Sequence, residues 1–216
     1  MTHLVVFDVD GTLVDSMGFD GAIYARTLGE VLGREVDEDW SGYRHVTDSG
    51  ILEEVLERHS VSDADGRLRR EVERRFVAAI AARLAADPGE CREIPGARAL
   101  FDGLRADPRC RVAIATGGWR ATALLKLATA GFEIGDTPLA TASDAPDRTG
   151  IMQIAARRAC GDVTPSRCTY FGDGDWDRAA CRALGWDFVA IGGRVAHETA
   201  FACFSDAAAI RRCLQL

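Results

Sequence analysis

The chain opens on an unbroken apolar run, Leu4-Val5-Val6-Phe7, and turns at once to Asp8-Val9-Asp10-Gly11-Thr12. A short apolar run closed by an Asp-Gly pair predicts a buried strand ending in a turn. The period then changes. Ile23, Leu28, Val31 and Leu32 mark a helix that stops near Gly33, and Ile51, Leu52, Val55 and Leu56 mark a second, begun by the capping residues Thr47, Asp48 and Ser49. Leu68, Val72, Phe76, Ile80 and Leu84 repeat every fourth position, with Ser62 and Asp65 at capping-box spacing before them and Pro88-Gly89 behind. From Pro95 the texture changes again: apolar runs at 112–116, 138–141, 169–172 and 188–191 alternate with helical patterns near 97–106, 119–130, 149–160 and 177–184.

Strand and helix in alternation predict parallel strands joined by right-handed crossovers. The first strand can join that sheet only if the helical stretch is an insertion. The predicted fold class is therefore α/β: a Rossmann-like, doubly wound parallel core formed by 1–14 and 94–216, interrupted by an all-helical cap at 15–93. At 216 residues the chain suits one core with such an insertion.

Composition narrows the partners. Net charge is −7 with no block of like charge, which argues against a nucleic-acid surface and leaves a phosphate ligand to meet local positive charge. Nothing approaches a membrane span, and the start lacks the basic segment and long apolar run of a signal peptide. The seven cysteines form no CxxC pair, which fits reduced thiols packed as small core residues in a cytoplasmic protein. Lys126 is the only lysine among 26 lysines and arginines.

Asp8 and Asp10 are the first candidate chemistry. Two adjacent carboxylates repel by about 4 kcal/mol at an effective dielectric near 20, so a cation belongs with them, and magnesium is the simplest. Ligands in an open parallel sheet bind beyond the carboxyl ends of the strands. There the sequence places Asp8, Asp10 and Thr12 after the first strand and Thr116-Gly117-Gly118 after the second. Ser143-Asp144-Ala145-Pro146-Asp147 leads to Arg148 after the third, and Gly172-Asp173-Gly174-Asp175-Trp176-Asp177 follows the fourth.

These four segments, in this order, resemble the haloacid dehalogenase-like hydrolase superfamily over nearly the whole chain. The resemblance implies a phosphatase in which Asp8 is the nucleophile and Asp10 the general acid and then base. It implies Mg²⁺ held by Asp8, the Asp10 backbone carbonyl and Asp173, with Asp177 reaching the metal through water or steadying Arg148. Thr116 and the Gly117 N–H would bind phosphoryl oxygens beside Gly118, and Arg148, where lysine is common, would neutralise the phosphoryl group. Asp175 is equally a metal ligand or a helix cap. Thr12 bonds its own turn or supports catalysis, and Asp15 and Ser16 read as hinge or capping residues.

The substrate implied is a small phosphorylated metabolite, handled by a monomer or homodimer. The polar-aromatic segment Tyr43, Arg44, His45, Thr47 and Asp48 is where leaving-group contacts are sought, Arg44 and His45 first. Trp119 and Arg120 either touch the leaving group or pack. Asp10 argues against a metal-free dehalogenase, and a lysine outside the cap argues against a Schiff-base phosphonatase. A sugar-phosphate mutase of the beta-phosphoglucomutase type and a catalytically silent binding module stay open.

Overall fold

The computed structural model describes residues 2–216. In chain order, β1 (His3–Phe7) and β2 (Val14–Asp15) lead into three helices, α1 (Asp20–Leu32), α2 (Asp48–Arg58) and α3 (Arg67–Ala86), and then β3 (Arg92–Glu93). The remainder runs α4 (Ala97–Arg105), β4 (Cys110–Ala115), α5 (Arg120–Thr129), β5 (Leu139–Ala140), α6 (Arg148–Cys160), β6 (Arg167–Gly172), α7 (Asp175–Leu184), β7 (Asp187–Ile191), β8 (Ala200–Phe201) and α8 (Ala207–Cys213).

Six of the strands form one sheet in the order β5-β4-β1-β6-β7-β8. Every pairing in it is parallel. The chain winds outward from β1 on both sides, so the C-terminal ends of β1, β4 and β6 meet at one crevice. β1 is buried along its whole length, which is why it is written as continuous apolar residues rather than as an alternation. Beneath the crevice Phe7 stacks on Phe171 with ring centroids 4.9 Å apart and meets Phe101 edge-on at 5.7 Å.

β2 and β3 pair antiparallel, Val14 with Glu93 and Asp15 with Arg92, and so bring together the two ends of the helical segment. That segment is fastened to the sheet by an aromatic seam. Tyr24 of α1, Phe76 of α3 and Trp119, which precedes α5, lie within 6.0 Å of one another by ring centroids. Trp119 is therefore a packing residue, and its Nε1–H donates to Ser49 Oγ at 2.9 Å. The start of α2 is tied to core loops as well: the Asp48 N–H donates to Gly117 O at 2.8 Å and Ser49 Oγ to Ala142 O at 2.6 Å.

Thr47 caps α2 as expected, accepting from the Gly50 N–H. The cap of α3 differs from the sequence expectation. Gly66 takes a left-handed φ of 65°, and the chain turns so that Asp63, not Ser62, accepts from the Leu68 and Arg69 amides. Among the described residues the cysteines are unpaired, three buried and four partly so. No helix among the described residues is long and apolar enough to cross a membrane.

Candidate active site at the strand ends

Asp8 is the first residue beyond β1, and its N–H still donates to Phe171 O of β6 at 2.9 Å, so the strand ladder fixes its backbone. The Val9 N–H fixes one oxygen of its carboxylate at 2.8 Å. β6 delivers Asp173 two residues beyond the same level, and the first turn of α7 delivers Asp177. The three carboxylates are buried and offer oxygens within 4.8 Å of one another.

Two glycines make this crowding possible. Gly11 holds φ of 74°, and a Cβ there would stand 2.1 Å from Asp173 Oδ2; a Cβ on Gly172 would stand 2.5 Å from Asp177 Oδ2.

One guanidinium spans the cluster. Arg148 opens α6, where Asp147 caps by accepting from the Gly150 N–H. Its Nη1 lies 3.3 Å from Asp8 Oδ1 and its Nε 3.4 Å from Asp177 Oδ1. Asp177 and Asp8 thus flank the same guanidinium. Arg194, from the loop between β7 and β8, reaches Asp173 Oδ2 at 3.0 Å.

Opposite, Thr116 follows β4 with its N–H bonded to Ala140 O at 3.1 Å and its Oγ1 accepting from the Gly118 N–H at 3.2 Å. Asp8, Asp10, Thr116, Gly117, Gly118, Arg148 and Asp173 all line one cavity of about 100 Å³. Asp177 lies behind this wall, fully buried.

The residues fit a hard divalent cation. Oδ1 of Asp173 is buried with no hydrogen-bond partner, a costly arrangement unless a cation approaches it. Burial above all, and then repulsion from Asp8, pushes the Asp173 carboxyl up to about 7. Burial also raises Asp8 and Asp177, against the pull of Arg148.

A pH dependence follows. These carboxyls bind protons more tightly folded than unfolded. Their contribution to stability is fully present below the unfolded value near 3.8 and is lost as pH rises through about 7. The metal-free protein should therefore melt lower at pH 8 than at pH 5, and Mg²⁺ should raise the melting temperature more at pH 8. Calorimetry with Mg²⁺ or EDTA checks this; an equal Mg²⁺ shift at both pH values would contradict it.

Several expected residues lie elsewhere. Arg44 does not reach this cavity: it pairs with Glu54 at 3.4 Å and with Glu57, and its side chain is 61% exposed. Those two acids, one helical turn apart on α2, draw the guanidinium to the outside. Arg44 and His45 line a neighbouring cavity of about 240 Å³, which shares Val46, Arg148 and Trp176 with the first. Asp175 pairs with Arg178 at 2.6 Å and is exposed, apart from the acid cluster.

Lys126 and Asp20 reach the site from positions that the strand ends do not mark. Lys126 Nζ stands 2.7 Å from Asp10 and 2.5 Å from Asp20, and Ser16 Oγ also donates to Asp10. A signal was available, because Lys126 falls on the apolar stripe of α5 with Thr122, Ala123 and Leu127. A lysine in that stripe needs a buried anion.

The model of one family, haloacid dehalogenase-like hydrolase, matches residues 2–185. The chain belongs to that family. Its likenesses among solved structures, all at low identity, speak for the fold alone. Beta-phosphoglucomutase from Clostridium difficile superposes with a TM-score of 0.72 at 16% identity, covering 98% of this chain and 96% of that one. CbbY from Rhodobacter sphaeroides, solved in complex with phosphate, gives 0.69 at 21% identity, with 95% and 96% covered. A predicted phosphoglycolate phosphatase from Haemophilus somnus gives 0.64 at 16%, with 97% of each chain covered. No curated protein matches.

Proposed function

We propose that this haloacid dehalogenase-like hydrolase is a Mg²⁺-dependent phosphomonoester hydrolase that works through an aspartyl-phosphate on Asp8. The observation that carries the reading is Arg148 lying between Asp8 and Asp177 at the mouth of the sheet, facing Thr116 across a small cavity. Asp8, Asp173 and the Asp10 carbonyl would hold the metal, which when bound offsets phosphoryl charge and lets a carboxylate approach phosphorus.

An Asp8 oxygen attacks phosphorus, and the bond from phosphorus to the ester oxygen breaks as that oxygen takes a proton from Asp10. Water then attacks the same phosphorus and gives a proton to Asp10. The bond to Asp8 breaks and inorganic phosphate leaves. The sum is ester plus water giving alcohol plus phosphate. Arg148, Thr116 and the Gly117 N–H supply fixed positive charge and donors for the phosphoryl oxygens.

The segment 15–93 acts as a cap over this site, with 1–14 and 94–216 as the catalytic core. Met17, Gly21, Tyr24, Trp40 and Val46 from the cap form the wall for the leaving group. Among the described residues lining the cavity, Arg148 is the only lysine or arginine, and it is already shared by two carboxylates. A second anionic group on the substrate finds no further lysine or arginine among these lining residues. Neutral or cationic small-alcohol monophosphates should therefore exceed sugar bisphosphates and phosphoglycolate by at least about 10-fold in kcat/KM. Phosphate release from such a panel, with Mg²⁺ or EDTA, tests both parts. Release indifferent to EDTA, or a preference for bisphosphates, would contradict the reading.

A further inference from the structure

Lys126 carries an inference that rests on the phosphatase reading and deepens it. Its side chain is fully buried on α5, in the core, yet it contacts carboxylates on both sides of the boundary with the helical segment. Asp10, 2.7 Å away, belongs to the turn after β1, and Asp20, 2.5 Å away, opens α1. Burial disfavours the charged form of this amine, but the two carboxylates outweigh burial and favour the ammonium.

The contact is directional. Lys126 and Ser16 both donate to Asp10 Oδ1. The other oxygen, Oδ2, is left beside Gly118, where a Cβ would come within 3.5 Å of it. Asp10 and Gly118 both line the phosphate cavity, so the two donors hold one oxygen back and turn the other towards the place where the leaving oxygen must sit. An acid at the end of a short turn has rotamer freedom of its own, and a proton donor displaced by an ångström loses much of its effect. Burying an ammonium for stability alone is a poor device, since apolar side chains of similar volume often do as well or better.

We propose that Lys126 is a positioning residue that aims the Asp10 carboxyl at the leaving oxygen, with Asp20 as the second anchor that holds the ammonium in place. Cap and core are then coupled through one charge. The helix that walls the leaving group also fixes the group that protonates it.

The test compares Lys126→Met, Asp20→Asn and the charge-balanced double variant on two substrates with Mg²⁺. One is a simple alkyl phosphate, whose leaving alkoxide needs a proton. The other is 2,4-dinitrophenyl phosphate, whose leaving phenolate does not. Lys126→Met should lower kcat/KM about 100-fold on the alkyl ester and no more than about 3-fold on the dinitrophenyl ester. Asp20→Asn should show the same contrast at smaller size, and it carries the test if Lys126→Met does not fold. Equal losses on both esters in folded variants, or no loss on either, would overturn the positioning role while leaving the phosphatase reading intact. A wild-type protein inactive on every phosphate ester overturns both.

Discussion

Asp8→Asn should abolish turnover, by about 10⁴-fold or more in kcat, while leaving the protein folded. The amide keeps the shape of the carboxyl and can still accept from the Val9 N–H, so the end of β1 is not disturbed. It cannot displace an alkoxide from phosphorus. The substitution also removes a charge from a buried cluster in which Asp8, Asp173 and Asp177 crowd together. The metal-free variant should accordingly melt no lower than wild type at pH 8, and the loss of activity cannot be assigned to unfolding. Phosphate release and a thermal scan on the same preparation check both halves. A variant retaining about a tenth of wild-type kcat would remove Asp8 from the chemistry.

Arg148→Met should cost both stability and rate. The guanidinium is 10% exposed at its side chain and sits 3.3 and 3.4 Å from two buried carboxylates. Removing one partner of a buried ion pair leaves uncompensated charge, at about 3–5 kcal/mol. Protonation of Asp8 and Asp177, whose pKa values burial already raises, relieves part of that cost at low pH. The deficit in urea unfolding should therefore grow from pH 5 to pH 8. Turnover should fall by about 10²–10³-fold, because a fixed cation at the phosphoryl group is lost. Arg148→Lys should restore part of the rate without the planar two-point contact. An unchanged unfolding midpoint together with unchanged kcat would show that Arg148 serves neither purpose.

The parts of this account that were legible in the sequence share a physical cause. Parallel strands buried on both faces leave continuous apolar runs, so β1, β4, β6 and β7 could be found, and their ends located Asp8, Thr116 and Asp173. β8 spans two residues and has no run to read. Arg148 and Asp177 could be named from position along the chain, although their ion pair joins the starts of two different helices. Arg44 belongs to the polar-aromatic segment ahead of α2, and composition alone does not show that Glu54 and Glu57 on that helix draw its guanidinium outward. The link between Lys126 and Asp10 spans 116 positions, and local pattern says nothing of such a partner. The local pattern did show a charge on the apolar face of α5, and burial makes that a demand for an anion.

The central claim is covalent: during turnover Asp8 carries the phosphoryl group. The most direct measurement is to mix the Mg²⁺-loaded enzyme with a phosphate ester that it hydrolyses and quench in acid within the first turnover. The acyl phosphate is then reduced with borohydride and the modified peptide located by mass spectrometry. The account predicts one modified residue, at Asp8 in the peptide that begins the chain, absent from Asp8→Asn and from unmixed enzyme. Turnover with no modified residue, or modification at another carboxylate, would contradict it and point to direct attack by water or to a different nucleophile.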